Sequence, residues 1–164
     1  MCPPTVISQE SLSALPLLFR LPSPLNLLKL LTLLMGKRIL LAEDNELNAE
    51  IAITILEEEG LKVEWAEDGI KCLEMLKKVP EDYYDMILMD IQMPNMDGYR
   101  TTEEIRSLPD KRAQIPIVAM TANVFDEDKK KVYEAGMNGY IAKPIDTKAI
   151  FSTLGEILQE KSEN

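Results

Sequence analysis

Five polar residues of this chain stand where four short apolar runs of three or four residues end. They are Glu43, Asp44, Asp90, Thr121 and Lys143. Such runs are typical of strands in a parallel sheet that is buried on both faces. Because ligands of these sheets bind outside the carboxyl ends of the strands, we expect the five side chains to gather at one rim. Three carboxylates, a hydroxyl and an ammonium group are the chemistry of a metal-assisted phosphoryl acceptor.

Asp90 is the candidate nucleophile, since a carboxylate can attack phosphorus and form an aspartyl-phosphate. Glu43 and Asp44 end the neighbouring strand, and three carboxylates in one crevice repel one another unless a cation lies among them. Oxygen ligands beside a phosphate favour Mg²⁺, which neutralises phosphate charge and aligns the attack. Lys143 can pair with Asp90 and then with a phosphoryl oxygen. Thr121 offers a neutral hydroxyl that can bond the phosphoryl group once it is present.

Each of these residues, taken singly, has an ordinary structural explanation. An aspartate after a strand is more often a turn former or a helix cap. Thr121 alone would suit a cap for the following helix, and Lys143 alone would suit a solvated surface charge. All five residues fall at four strand ends of one predicted sheet, and this coincidence makes chance a poor explanation.

The composition excludes several other kinds of site. The 164 residues are 46% hydrophobic and 28% charged with a net charge of −10, which indicates a globular chain and argues against nucleic-acid binding. The chain has no histidine, so His-based triads and His-ligated zinc are excluded, and its glycines form no dinucleotide or P-loop motif. Its two cysteines make no disulfide framework, which fits a reducing cytoplasm, and Cys72 is interpreted as a core residue.

Two parts of the chain differ in composition, with the division near residues 35–36. Residues 1–35 form a leader rich in proline and leucine with Glu10 as its one acidic residue. We interpret residues 36–160 as the functional domain and 161–164 as a tail. Residues 25–35 show an amphipathic helix pattern that is too short to span a bilayer. This helix docked on the domain or a partner, a disordered or artefactual leader, and membrane contact remain open, with membrane contact least favoured.

From residue 37 onward the pattern alternates between strand and helix, which predicts βαβ units. The residues at 61–65 alternate apolar and polar, as in an edge strand, whereas the other early runs are continuously apolar. This favours a flavodoxin-like α/β fold with a doubly wound parallel sheet in the order 2-1-3-4-5. The predicted strands are 38–42, 61–66, 85–90, 115–120 and 139–142. The predicted helices are 46–58, 69–78, 98–107, 126–134 and 147–158.

The helix predicted at 126–134 has few groups to hold it in place. Val132 and Tyr133 are its only substantial hydrophobic side chains. A helix with so little apolar surface is weakly held, and weakly held elements are those that move.

Four segments of the chain resemble the signature segments of receiver domains, the phosphoacceptor domains of two-component response regulators. They read LAEDN at 41–45, MDIQMPNMDG at 89–98, MTA at 120–122 and GYIAKPI at 139–145. The resemblance covers about residues 36–160 and implies that Asp90 is the phosphorylation site. It also implies that Glu43 and Asp44 are the acidic pair that binds Mg²⁺, and that Thr121 and Lys143 are the switch hydroxyl and lysine.

The same resemblance implies further details of the site. The backbone carbonyl of Gln92 would be a Mg²⁺ ligand, the bond between Lys143 and Pro144 would be cis, and Tyr140 would be the aromatic side chain that rotates on switching. Glu43 stands where many receivers have aspartate, and it would support the metal through water.

The sequence of these segments, including Asn123 after MTA, is most similar to that of receivers attached to hybrid sensor histidine kinases. This similarity implies a histidine kinase or histidine phosphotransfer protein as donor, with phosphotransfer onto Asp90 and slow autodephosphorylation rather than turnover. The helix at 126–134, the strand at 139–142 and the helix at 147–158 would form the signalling face and a dimer contact. The stimulus, the cognate kinase and the downstream effector cannot be inferred.

Two alternatives belong to other functional classes. A receiver-like scaffold that takes no phosphate would keep the same fold. A phosphatase with an aspartate nucleophile would need an acid two residues after Asp90, and Gln92 occupies that position.

Overall fold

The computed structural model describes residues 24–122 and 125–163, so the proline-rich residues 1–23 and Asn123 of the predicted motif lie outside the described part. Five strands alternate with helices, as the sequence pattern predicted. The strands are β1 (Arg38–Ala42), β2 (Lys62–Ala66), β3 (Met86–Asp90), β4 (Ile117–Thr121) and β5 (Gly139–Ala142). The helices are α1 (Pro24–Leu34), α2 (Glu46–Glu58), α3 (Gly69–Lys78), α4 (Gly98–Arg106), α5 (Asp126–Glu134) and α6 (Thr147–Glu163), with a 3₁₀ helix at Lys111–Gln114.

All five strands run parallel in one sheet, in the order β2-β1-β3-β4-β5. The flavodoxin-like topology predicted from the sequence is therefore confirmed. The strand that alternates polar and apolar residues, β2, lies at an edge as predicted. The central strands β1, β3 and β4 are buried almost throughout, because helices cover both faces of the sheet.

Two apolar layers enclose the sheet. One layer joins alternate strand residues to α3, α4 and α5, and the other joins the remaining strand residues to α1, α2 and α6. Cys72 on α3 has no exposed surface and belongs to the first layer, which confirms its interpretation as a core residue. Desolvation by this burial raises the pKa of its thiol to about 12.

Local capping explains where the helices begin and end. Asn45 accepts a hydrogen bond from the amide of Asn48 at 3.0 Å, and Asp146 accepts one from the amide of Ala149 at 3.1 Å, as expected for N-cap residues. Gly60 follows α2 with φ +87° and Gly136 follows α5 with φ +98°. These left-handed positions end the two helices at the glycines that the sequence indicated.

The observed elements differ from the predicted ones mainly at their ends. The last helix continues to Glu163 rather than ending at 158, because its final turns contain no glycine or proline to stop it. Thr121 is the last residue of β4 and not the first residue after it. The 3₁₀ helix at Lys111–Gln114 was not predicted; Asp110 caps it by accepting a hydrogen bond from the amide of Arg112 at 2.9 Å.

The leucine-rich segment forms α1 and packs along α6. Leu34 is completely buried in the second apolar layer, and Leu30 and Leu33 pack against the same layer. Gly155 of α6 makes the close approach of the two helices possible, since a Cβ atom there would overlap Leu30 Cδ1. Leu25 and Leu28 on the other side of α1 are 63% and 62% exposed. Within residues 24–122 and 125–163, no helix combines the length and apolar character needed to cross a bilayer.

Helix α5 has little buried surface. Val132 is its one buried residue, and Tyr133 is 54% exposed. Phe125 precedes the helix without a side-chain capping hydrogen bond and is 71% exposed. The thin apolar contact that the sequence predicted for this helix is therefore present in the structure.

Candidate functional site

Backbone hydrogen bonds hold four strand ends at a common rim. The amide of Glu43 donates to the carbonyl of Ala66 at 3.1 Å and so extends the pairing of β1 with β2. The amide of Ile91 donates to the backbone carbonyl of Met120 at 3.3 Å, and the amide of Lys143 donates to the backbone carbonyl of Thr121 at 2.8 Å. Each functional segment therefore leaves the sheet beside its neighbour.

Three carboxylates meet at this rim, as the sequence predicted. The ligand oxygens of Glu43, Asp44 and Asp90 all lie within 4.8 Å of one another. Glu43 and Asp90 are buried, at 2% and 6% exposure, whereas Asp44 is exposed to solvent. The cluster therefore has two oxygen donors in the crevice and a third at its opening.

The ammonium group of Lys143 bridges two of the carboxylates. Its Nζ atom lies 2.7 Å from Glu43 Oε2 and 3.2 Å from Asp90 Oδ1. The sequence predicted the pairing with Asp90 but not the shorter contact with Glu43. Glu43 is further held because its Oε1 accepts a hydrogen bond from the amide of Asn45 at 3.2 Å.

Burial and charge shift the pKa values of this pair. Desolvation raises the pKa of Asp90 to about 6, the charge of Lys143 opposes this rise, and the charge of Glu43 adds to it. For Lys143, burial alone would lower the pKa, but the hydrogen bond from its ammonium group to Glu43 and the charge of Asp90 outweigh burial and raise it. Asp90 is therefore mostly ionised at neutral pH.

The loop after β3 is held tightly around Asp90. The amide of Gln92 lies 3.4 Å from Asp90 Oδ1. Gly98 packs directly against this loop, since a Cβ there would overlap the carbonyl oxygen of Asp90. Asn95 has φ +66°, and its side-chain amide donates to Asp68 Oδ2 at 3.0 Å. This link between Asp68 and Asn95 joins the loops after β2 and β3 and was not visible in the sequence.

The two predicted switch residues occupy β4 and β5. Thr121, at the end of β4, is half-buried and aligned with Ala142 in the register of the sheet. Tyr140 is also half-buried, with its ring edge-to-face to Tyr133 of α5 at 6.5 Å between centroids. Lys129 Nζ lies 5.5 Å from the centre of the Tyr140 ring. The bond between Lys143 and Pro144 is cis, as the family resemblance implied.

An unpredicted residue, Trp65, also contacts the rim. Its indole Nε1 donates a hydrogen bond to the backbone carbonyl of Glu43 at 2.7 Å. The alternating pattern of β2 placed Trp65 on an edge strand, but no sequence signal shows where an indole N–H points.

The arrangement suits a hard divalent cation and a phosphoryl group. Three carboxylates and one ammonium group leave two net negative charges when all are ionised. Mg²⁺ prefers a few carboxylate oxygens with water completing its shell, and the accessible Asp44 leaves such an open side. The donor set therefore fits Mg²⁺.

A family model described as "Response regulator receiver domain" matches residues 39–155. Among curated proteins, Histidine protein kinase 1 of Candida albicans is 44% identical over 130 residues, which are 73% of this chain and 5% of that protein. The histidine-protein kinase BarA of Shigella flexneri is 39% identical over 116 residues, 71% of this chain and 12% of that protein. The chain thus spans only a small part of these relatives.

Solved structures of similar fold cover most of the chain. The receiver domain of sensor histidine kinase PA1611 from Pseudomonas aeruginosa is 38% identical with a TM-score of 0.64, covering 76% of this chain and 96% of that one. That structure holds a magnesium ion coordinated in the active site cleft. The chemotaxis protein CheY4 of Vibrio cholerae is 24% identical with a TM-score of 0.68, covering 74% and 98%, and shows the shared fold.

Proposed function

The chain belongs to the response regulator receiver domain family, and from this premise we propose that it accepts a phosphoryl group on Asp90. The observation that carries the proposal is the bridge from Lys143 to both Glu43 and Asp90. A lysine fixed beside a buried carboxylate and an acidic pair is the arrangement that the motif resemblance implied. The phosphoryl donor would be the phosphohistidine of a histidine kinase or of a histidine phosphotransfer protein.

The role of each carboxylate follows from its contacts. Both oxygens of Glu43 are engaged, by the amide of Asn45 and by Lys143. We therefore assign Asp44 and Asp90 as direct Mg²⁺ ligands, with the backbone carbonyl of Gln92, and give Glu43 a contact through water. When bound, Mg²⁺ would neutralise phosphoryl charge and help to align the reacting groups.

The contacts of Asp90 also suggest which oxygen reacts. Lys143 and the amide of Gln92 both contact Oδ1, so we assign the attack on phosphorus to Oδ2. The new Oδ2–P bond forms as the P–N bond to the donor imidazole breaks, and the imidazole leaves with the electron pair. Lys143 remains close enough to bind a phosphoryl oxygen and to offset its charge.

The two switch residues, Thr121 and Tyr140, would then respond to the phosphoryl group by changing position. The Thr121 hydroxyl would gain a phosphoryl oxygen as acceptor and move toward it. Tyr140 would rotate into the space beside β5, and α5, which buries only Val132, would shift at small cost. The surface formed by α5, β5 and α6 would signal to an effector or to a second receiver.

The resemblance to hybrid kinases supports a phosphorelay setting. Curated relatives such as Histidine protein kinase 1 and BarA are kinases of which this chain matches 5% and 12%. We propose that the domain works in such a relay, in the cytoplasm, with slow loss of its phosphoryl group and no turnover of its own.

Acetyl phosphate with Mg²⁺ tests the site directly. Intact-mass measurement should show a gain of one phosphoryl group in the wild type and none in Asp90→Asn. Asp82→Asn, which changes an exposed aspartate away from the rim, should label like the wild type. Excess EDTA should abolish labelling. Labelling of Asp90→Asn would place the nucleophile elsewhere, an unlabelled wild type would indicate a scaffold, and continuous phosphate release would indicate a phosphatase.

A further inference from the structure

Strand β2 holds the backbone of Glu43 from two directions. The amide of Glu43 donates to the carbonyl of Ala66 at 3.1 Å, and the carbonyl of Glu43 accepts from the Trp65 indole at 2.7 Å. The accepting carbonyl belongs to the peptide bond that leads into Asp44. The indole therefore fixes the plane of the Glu43–Asp44 peptide just after β1 leaves the sheet.

The register of the sheet explains why a side chain of this length is used. Trp65 is aligned with Leu41 of β1, so Glu43 lies two residues further along the strand, roughly 6.6 Å away. A tryptophan ring can span that distance and still present an N–H donor at its end. Phenylalanine would fill part of the same volume but would leave the carbonyl without this donor.

The peptide that Trp65 holds is the one that aims Asp44. The side chain of Glu43 has its own anchors, Lys143 and the amide of Asn45. Asp44 is exposed and has no comparable packing, so its direction toward Asp90 depends on the backbone that carries it. A free rotation of the Glu43–Asp44 peptide would spread the positions of the Asp44 carboxylate.

We infer that Trp65 is a positioning residue for the acidic pair: its indole N–H fixes the Glu43–Asp44 peptide and so holds Asp44 in place to bind Mg²⁺ with Asp90. This inference rests on the proposed metal role of Asp44 and Asp90. It adds an edge-strand residue that lies outside the five predicted from the strand ends.

The matched pair Trp65→Phe and Val63→Ala tests the assignment in the full chain. Both positions are half-buried on β2 and pack against the same apolar layer. Calorimetric titration with Mg²⁺ should show a Kd about fivefold higher in Trp65→Phe, equivalent to about 1 kcal/mol for one hydrogen bond. Val63→Ala should lower the melting temperature while leaving the Kd for Mg²⁺ unchanged.

Hydrogen exchange of the indole in the wild type, and of backbone amides in the wild type and in Trp65→Phe, completes the test. The indole N–H of Trp65 should exchange with solvent more slowly than a free indole, and its NMR signal should shift on addition of Mg²⁺. In metal-free Trp65→Phe, the amides of Asp44 and Asn45 should exchange faster than in the wild type. Fast exchange of the indole in the wild type would overturn the assignment even if Trp65→Phe failed to fold.

The outcomes separate this inference from the proposed function. If the wild type binds Mg²⁺ and Trp65→Phe binds it equally well, the positioning role is wrong and the metal site stands. If the wild type does not bind Mg²⁺, the metal site is wrong, and the positioning role falls with it. If Val63→Ala and Trp65→Phe lose the same affinity for Mg²⁺, Trp65 contributes only packing and the positioning role is wrong.

Discussion

The contacts of Lys143 show how a single cation can keep two buried carboxylates in one crevice. Its ammonium group lies within 3.2 Å of both Glu43 and Asp90, and these side chains are almost fully buried. Removing a carboxylate from water is unfavourable, and the nearby cation offsets part of that penalty. The remaining negative charge makes the crevice a place where a divalent cation is stabilised.

The pKa of Asp90 leads to a prediction about stability and pH. This pKa is about 6 in the metal-free fold against 3.8 ordinarily. Between these values the folded protein keeps a proton that the unfolded chain has lost, so stability falls as pH rises from about 4 to 6. The Asp90→Asn variant has no carboxylate to ionise at this position, so it should not lose stability in this pH range. It should match the wild type below about pH 4 and exceed it by up to about 3 kcal/mol above pH 6.

Urea denaturation in EDTA across this pH range would measure the difference. Asp82→Asn, which changes an exposed aspartate away from the rim, serves as the control. A gain for Asp90→Asn that stays constant with pH would contradict the raised pKa.

The residue types at the strand ends predicted that four of the five candidate side chains meet. Asp90, Lys143 and the acidic pair lie together because the parallel topology brings the strand ends to one rim. The sequence did not show that Lys143 approaches Glu43 more closely than Asp90, or that Trp65 contacts the same segment. Those contacts depend on the direction in which each side chain points. A sequence pattern gives the position of a residue along the chain but not the direction of its side chain.

At the level of elements, α5 contrasts with the strands that carry the site. The central strands are buried almost throughout, whereas α5 buries Val132 alone. Its contact with β5 includes the ring pair of Tyr133 and Tyr140. A signal that reaches Tyr140 is therefore next to a helix that can move with little loss of burial.

Thr121→Ala tests this coupling between the site and α5. The variant should still bind beryllofluoride, a phosphoryl mimic, because Asp90 and Lys143 are unchanged. Its NMR amide shifts at Tyr140 and along α5 should be much smaller than in the wild type, since the coupling is expected to be about 1–3 kcal/mol. Wild-type shifts confined to the residues around Asp90 would contradict the relay.

The packing of α1 on α6 depends on a glycine. Gly155 stands inside a long helix, where glycine is less favourable than alanine by about 1 kcal/mol. A Cβ at this position would meet Leu30 of α1, and its three nearest atoms all belong to that side chain. The glycine therefore serves the contact between the two helices and not the interior of the sheet layers.

Gly155→Leu should separate α1 from the domain without unfolding the sheet. Hydrogen exchange should show the α1 amides beyond its first turn, at 28–34, losing protection while those of β1, β3 and β4 keep it. Adding Leu30→Ala should restore part of the protection, because the space left by Leu30 can receive Leu at 155. Ser152→Leu, on the exposed side of α6, is the control. Equal protection of α1 in all variants would contradict this account.

At the scale of the whole molecule, the site lies where neither apolar layer covers the sheet. The layer of α3, α4 and α5 and the layer of α1, α2 and α6 pack on the two faces, and the carboxyl ends of the strands remain accessible between them. The alternation of strand and helix predicted this architecture, and the polar–apolar alternation of β2 predicted the strand order. It did not show which surface α1 would occupy, because that depends on the contact of Leu30 with Gly155.

The burial of Cys72 has a consequence for chemical labelling kinetics. Thiol reagents attack the thiolate, and Cys72 is fully buried with a pKa of about 12. In a Cys2→Ser variant, a disulfide reagent should therefore react only when the apolar layer around α3 opens. Mg²⁺ at tenfold its Kd should slow the reaction about elevenfold if opening destroys the metal site.

The control is Asp44→Asn in the same background, which should lose most of this Mg²⁺ dependence. Reaction at the rate of a free cysteine would contradict the burial of Cys72. The labelling rate of one unreactive thiol would then report how often this layer opens, and its dependence on Mg²⁺ would measure metal binding without an optical probe.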